Sequence, residues 1–360
     1  MSVLTSAEVY DLDLMAALDR RLAQRPVLLV GPVGSGSCEV AVEAARRAAF
    51  NVILDAAVAG EDYEALVAMA VRQTASQVIA ELARKSGASP FDLARIEDDT
   101  PQADQARLHL ANHFGPDLSE VVAIIRGESP EGWSLERALA TGALPRGSRV
   151  VVLQAHRLQP ESAVWELRQI ANEAPFQIML TTRPAHATQL AGPRGAIFGS
   201  VHTAELTPPS PGRWQKVLAE HGMQLAPADL EWLLQRTRGR TRTTLSVLEA
   251  ATESTPIRTT WHRAVHDNLV RSGDVLRLSA AIHPYAPRLL KAIASGKPPY
   301  RAIENAPSQR VARTLSRLRD LDLIEQPAPR RWEIADPLLA AAIAKQGRIT
   351  ATMDAYERGH

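Results

Sequence analysis

Eight residues near the start of the chain, Gly31-Pro32-Val33-Gly34-Ser35-Gly36-Ser37-Cys38, have the spacing G-x-x-x-x-G of a loop that cradles an anion with its main-chain amides. A loop that also drives phosphoryl transfer continues with Lys, whose charge offsets the terminal phosphates, and with Ser or Thr, whose hydroxyl ligates magnesium. Ser37 and Cys38 occupy those two positions here. The amide donors and the positive end of a following helix are retained. The cationic and metal-binding side chains are not.

A loop of this kind needs a buried strand before it and a helix after it. Pro26 to Val30 is a short apolar run that predicts the strand, and Glu39 to Ala49 is alanine-rich and predicts the helix. Further strands are predicted at Asn51 to Ala57, Arg149 to Leu153 and Phe176 to Thr181, with helices over 63–85, 116–126 and 162–172. Alternating strands and helices make a mostly parallel sheet. Val9, Leu12, Met15, Leu18 and Leu22 have helical spacing, so one helix is expected over 6–24 with Ser6 as its cap. The polar stretch over 87–104 reads as an exposed insertion.

Hydrolysis requires carboxylates at the end of a second central strand, but Val150 to Leu153 runs into Gln154-Ala155-His156. The stretch over 155–184, ending Thr181-Thr182-Arg183-Pro184, resembles AAA+/STAND ATPases, among them the large ATP-binding LuxR-type regulators; His156, Pro160 and Ser162 match common positions of that pattern. The resemblance implies that Arg183 points at a terminal phosphate. The stretch over 205–251 is similar to the helical lid of those proteins, and Gly239-Arg240-Thr241-Arg242 takes the place of the lid's sensor motif, which makes Arg242 a second candidate phosphate contact, its alternative being a solvated arginine among Arg236, Arg238 and Arg240. The implied ligand is ATP or ADP, held by residues 31–38 with Arg183 and Arg242, without a firm magnesium site and without ATP turnover. Read by themselves, His156 is a structural histidine, Cys38 a packed and inert small residue, and Asp55 a strand-end carboxylate with nothing beside it in sequence.

Behind a proline-rich boundary near 206–213 the chain reads as helical to about residue 270, then as short helices followed by two strands, Leu323 to Gln326 and Arg331 to Ile334. In the helix predicted over 308–319, Val311, Leu315 and Leu318 share one face, while Arg310, Arg313 and Arg317 form a stripe displaced from it. Such a helix can pack on its domain and still offer cations to phosphates or base edges. With the basic tip Arg330-Arg331 and the Asp336-Pro337-Leu338-Leu339 that follows, this part resembles the winged helix of archaeal-type and origin-recognition-like ATPases, which implies either duplex DNA as a partner or packing against the ATPase core as part of a switch.

The sequence therefore predicts an α/β P-loop NTPase domain with a parallel sheet over 1–206, a helical lid subdomain over 207–272, a winged-helix domain over 273–346 and a tail over 347–360. Residues 1–150 hold 14 Lys/Arg against 21 Asp/Glu and residues 271–346 hold 13 against 7, so the basic domain suits nucleic acid or its own acidic front half. One cysteine excludes an intramolecular disulfide framework. Acidic residues at the start, and no apolar run of about 20 residues, argue against secretion and membrane insertion and for a cytoplasmic protein. The reading that joins these features is a regulatory, DNA-binding pseudo-ATPase. Its rivals are a scaffold or adaptor, with a protein partner or in a homo-oligomer, and a weak ATP-binding switch.

Overall fold

A computed structural model describes residues 4–10, 12–59, 62–86, 100–114, 132–140, 147–158, 161–173, 176–251, 255–304 and 306–358. Most of the expected polar insertion and all of the helix expected over 116–126 lie outside them; the end of the insertion opens the helix Pro101–Phe114. The chain divides into two units, Leu12–Gly31 with Ser37–Leu206, and Met1–Asp11 with Pro32–Gly36 and Thr207–His360. Residues 1–11 and 32–36 thus leave the expected 1–206 domain for the second unit. The helical lid and the winged helix fall into one unit.

The first unit is a five-stranded sheet of β1 (Val27–Val30), β2 (Asn51–Asp55), β3 (Arg149–Leu153), β4 (Gln177–Thr182) and β5 (His202–Glu205). The order is β2-β3-β4-β1-β5 and each neighbouring pair is parallel. Strands β1, β3 and β4 sit centrally, covered on both faces, which is why they read as unbroken apolar runs. At the edge, β2 alternates, burying Val52 and Leu54. Its main chain is engaged by side-chain amides of the helix Tyr63–Ser86: Ile53 N–H donates to Gln73 Oε1 at 2.6 Å and Asn51 N–H to Gln77 Oε1 at 2.8 Å. That cover keeps the edge from pairing with another chain. The core joins Leu28, Leu54, Val150 and Leu180 of the sheet to Leu66, Leu110, Leu139 and Leu167 of the helices.

In the second unit the expected single N-terminal helix is replaced by the short helix Ser6–Val9. The helix Leu12–Leu22 belongs to the first unit. Thr5, not Ser6, is the cap, and it forms a reciprocal capping box with Glu8. Tyr10 is extended at φ −73° and ψ 143°, which ends the first helix. Arg213 holds this turn by donating to the carbonyls of Glu8 at 2.7 Å and Val9 at 3.1 Å.

Two cores fill the unit. One gathers Leu4 and Val9 with Trp214, Leu230, Leu245 and Trp261; the other gathers Leu289, Ile293, Val311, Leu315, Ile324 and Ile334. The second is a winged helix, in which the helices Leu269–Ile282, Ala286–Ala294 and Ser308–Asp320 precede the antiparallel hairpin of β6 (Ile324–Ala328) and β7 (Arg331–Ile334). The last helix, Pro337–Arg358, serves both cores, with Leu338 and Ala342 in one and Leu339 and Ile343 in the other. Residues 347–358, expected as a short helix or tail, lie in this helix.

Candidate phosphate loop and nucleic-acid face

Both inner glycines of the loop take φ values that other residues rarely adopt, +78° at Gly34 and +85° at Gly36. A Cβ on Gly36 would lie 2.6 Å from Ser6 Cβ, and one on Gly34 would collide with Thr243 Oγ1, so the backbone approach also demands glycine. Three consecutive loop carbonyls are taken by donors of the same unit. Arg240 donates to Val33, the main-chain N–H of Arg242 to Gly34 at 2.8 Å, and the Tyr10 hydroxyl to Ser35 at 2.7 Å.

A trans peptide points its C=O and its N–H in opposite directions. Fixing the Val33 and Ser35 carbonyls therefore turns the Gly34 and Gly36 amides away from Arg240 and Tyr10. These two amides have no partner among the described residues, whereas Ser35 N–H is spent on Pro32 O at 3.1 Å. An anion would thus meet two loop amides of this unit.

In the first unit, the ends of β2, β3 and β4 form a closed polar set. Thr181 Oγ1 accepts from Gln154 N–H at 2.8 Å and lies 3.7 Å from Cys38 Sγ. Gln154, held at a left-handed φ of 55°, brings its Nε2 to 3.5 Å from Asp55 Oδ1, which also accepts from Ala57 N–H at 2.9 Å. The strand register, with Asp55 opposite Leu153, supplies Asp55 with the neighbour that sequence order hides. Burial pushes the Cys38 thiol above its ordinary pKa; the Thr181 hydrogen bond and the Arg183 charge oppose this less strongly. The thiol therefore stays protonated at neutral pH. His156 Nδ1 lies 3.3 Å from Thr182 Oγ1, and its ring stacks on His186 with centroids 4.5 Å apart. Arg183 is half-buried and precedes the helix Pro184–Ala191, whose first residue is the proline.

Of the lid arginines, Arg242 is exposed and its Nη1 lies 3.3 Å from Glu249 Oε1. Arg240, which the sequence reading passed over, is the buried one at 6% exposure. Besides Val33 it binds Glu325 on β6. Arg238 lies 3.4 Å from the same carboxylate and 2.8 Å from Glu333 on β7. Burial lowers the Arg240 pKa, with the Glu325 charge opposing; burial raises that of Glu325, with Arg240 and Arg238 opposing. Glu325 and Glu333 are direct cross-strand partners, and like charges in that position repel unless cations sit over them. That repulsion was the available sequence signal. Tyr10 and Ser6 carried none.

The predicted basic face lies on the winged helix. Arg310, Arg313 and Arg317 are exposed on the helix Ser308–Asp320, while Val311, Leu315 and Leu318 are buried beneath them. Arg317 donates to the Ile282 carbonyl at 3.4 Å. Arg330 has a left-handed φ of 63° at the hairpin turn, and Arg331 pairs with Glu333 at 2.7 Å; both are exposed.

The parallel sheet, the glycine loop between β1 and its helix, and the hairpin-bearing C-terminal domain define a P-loop NTPase-like α/β fold followed by a winged helix. Among solved structures the chain resembles a Walker-type ATPase of Pyrococcus abyssi, at 15% identity over 92% of this chain and 95% of that one, with a TM-score of 0.60. It also matches the ORC2 protein of Aeropyrum pernix, solved as ADPNP–ADP complexes, at 13% identity over 95% of this chain and 94% of that one, with a TM-score of 0.43. A third match is a STAND protein of Pyrococcus horikoshii with a tetratricopeptide repeat sensor, at 12% identity, 96% of this chain, 43% of that one and a TM-score of 0.40. No family model and no curated protein matches the chain. No helix among the described residues is long and apolar enough to cross a membrane.

Proposed function

We propose that the protein is a regulatory pseudo-ATPase whose winged helix contacts duplex DNA. The carrying observation is the exposed row Arg310, Arg313 and Arg317, with Arg330 and Arg331 at the wing tip of the same domain. Cations left in solvent on a helix whose opposite face is fully packed suit a polyanion, and their cost in the absence of one is small.

The glycine loop supports retention of a nucleotide phosphate through Gly34 and Gly36, with Arg183 and Arg242 as further candidate contacts. A magnesium anchor does not fit the residues present. Cys38 holds a protonated thiol where a hydroxyl ligand belongs, and Asp55 is already engaged by Gln154 and Ala57. No hydrolytic step is therefore assigned.

The test has two arms. Titration with a labelled ATP analogue, followed by a phosphate-release assay, should give weak binding and no magnesium-dependent turnover. Titration with a duplex at two salt concentrations should give an affinity that falls steeply as salt rises. Unchanged DNA affinity in Arg313→Glu would remove the recognition-helix assignment. Absence of DNA affinity together with a co-purifying protein would instead favour an adaptor.

A further inference from the structure

A cavity of about 180 Å³ lies in the first unit outside the carboxyl ends of β3 and β4, the side on which open α/β sheets hold their ligands. It shares no residue with the glycine loop, with Arg183 or with Arg242. Its walls include the buried side chains of Leu158 after β3, Val164 of the helix Glu161–Glu173, Leu190 of the helix Pro184–Ala191, and Ala196. Two polar side chains join them, His156 and Gln189. The fold places His156 from two directions: its Nδ1 lies 3.3 Å from Thr182 Oγ1 on β4, and His186 stacks on the ring with the planes 5° apart. His186 does not line the cavity, which therefore meets the part of His156 that the stack leaves uncovered. Arg168 braces the Ala196 wall by donating to its carbonyl at 3.1 Å, with the guanidinium over the Trp165 ring. Gln189 is exposed, which puts the mouth at this residue.

We infer that this cavity binds a neutral, planar, one-ring heterocycle that carries a hydrogen-bond donor beside an acceptor, the size and pattern of a pyrimidine base. Size comes first. An apolar cavity of roughly 150 Å³ admits benzene, so this one suits a single ring with a small substituent. Polarity narrows the class further. A hydrocarbon would strip water from the Gln189 carboxamide and the His156 ring and return no hydrogen bonds. The carboxamide offers a donor and an acceptor side by side, which a ring nitrogen next to an amino group matches with two parallel bonds. Among the described residues no Lys, Arg, Asp or Glu lines the cavity, so a charged ring would be left without a counter-ion. Leu158, Val164, Leu190 and Ala196 then cover the faces of the ring, and any larger substituent leaves through the mouth at Gln189. The site is independent of nucleotide retention on the glycine loop and of DNA contact by the winged helix.

The experiment titrates the full chain with 2-aminopyrimidine and, separately, with toluene, a ring of matching size that lacks the polar pair, and reads both affinities by ligand-observed NMR. The wild type should bind 2-aminopyrimidine about tenfold more tightly than toluene. Gln189→Ala, at an exposed position that leaves the apolar walls in place, should remove that preference. Ala196→Leu, which fills the cavity, should abolish binding of both. No binding of 2-aminopyrimidine to the wild type, equal affinity for the two probes, or a preference that survives Gln189→Ala overturns the assignment. So does binding to a folded Ala196→Leu variant, since the probe then sits elsewhere; if that variant does not fold, the Gln189→Ala result decides alone.

Discussion

Arg238 and Arg240 on one side, and Arg310 and Arg313 on the other, belong to the same unit and carry the same group, yet they are spent differently. The first two lie over Glu325 and Glu333, with Arg240 at 6% exposure, whereas the second two stand in solvent on a helix whose other face is packed. Burying a guanidinium costs several kcal/mol of lost hydration, which only well-placed acceptors offset. Such a group holds two distant segments in register. An exposed guanidinium costs almost nothing to keep and stays free to meet a polyanion. Burial therefore separates arginines that maintain the fold from arginines left in solvent.

The largest effect that could break this comparison is on stability. Arg240→Ala leaves Glu325 with Arg238 alone and should destabilise the second unit by about 3 kcal/mol, the low end for breaking a buried pair, whereas Arg313→Ala should stay within about 0.5 kcal/mol. Urea unfolding of the full chain measures both, and equal midpoints would erase the distinction.

Crowded and open glycines extend the contrast to the loop. Gly36→Ala meets a left-handed φ and Ser6 at 2.6 Å, while Gly199→Ala meets φ +72° and nothing within 4 Å. The first should cost roughly 2–3 kcal/mol and the second about 1 kcal/mol, the difference being the collision. Thermal unfolding of the two variants gives the comparison directly.

On the exposed side, Arg313→Glu should weaken duplex binding about tenfold and lower the salt slope by about one, as loss of a phosphate contact does. Arg240→Met, kept folded at low temperature, should leave the slope unchanged if buried arginines do not touch DNA. Fluorescence anisotropy at two salt concentrations reads both.

The smallest effect concerns Cys38. Because burial raises its pKa, the thiolate fraction at pH 8 falls below that of an ordinary cysteine, and alkylation should be slower there and recover only at higher pH. Alkylation as fast as a free thiol would show the β2–β4 end to be open rather than closed.

Strands β1, β3 and β4 were legible to within a residue or so, because strands covered on both faces must be apolar throughout. β5 escaped notice: His202, Thr203 and Glu205 flank its one buried residue, Ala204, and an edge strand needs no more than that. The break near Tyr10 was hidden for a different reason. The apolar spacing runs straight through it, and the extended Tyr10 whose hydroxyl reaches Ser35 is visible only when the loop is in place.

What the sequence determined alone is whatever depends on neighbours along the chain. The glycine loop, the buried central strands and the two-faced helix Ser308–Asp320 follow from periodicity, from φ preferences and from the cost of burying polar groups. Which of Arg236, Arg238, Arg240 and Arg242 would be buried was decided by tertiary structure, since four arginines at alternate positions are equivalent until Glu325, 85 residues beyond Arg240, arrives beside one of them. Only the folded chain brings the acceptors that offset the desolvation, and that offset selects the arginine.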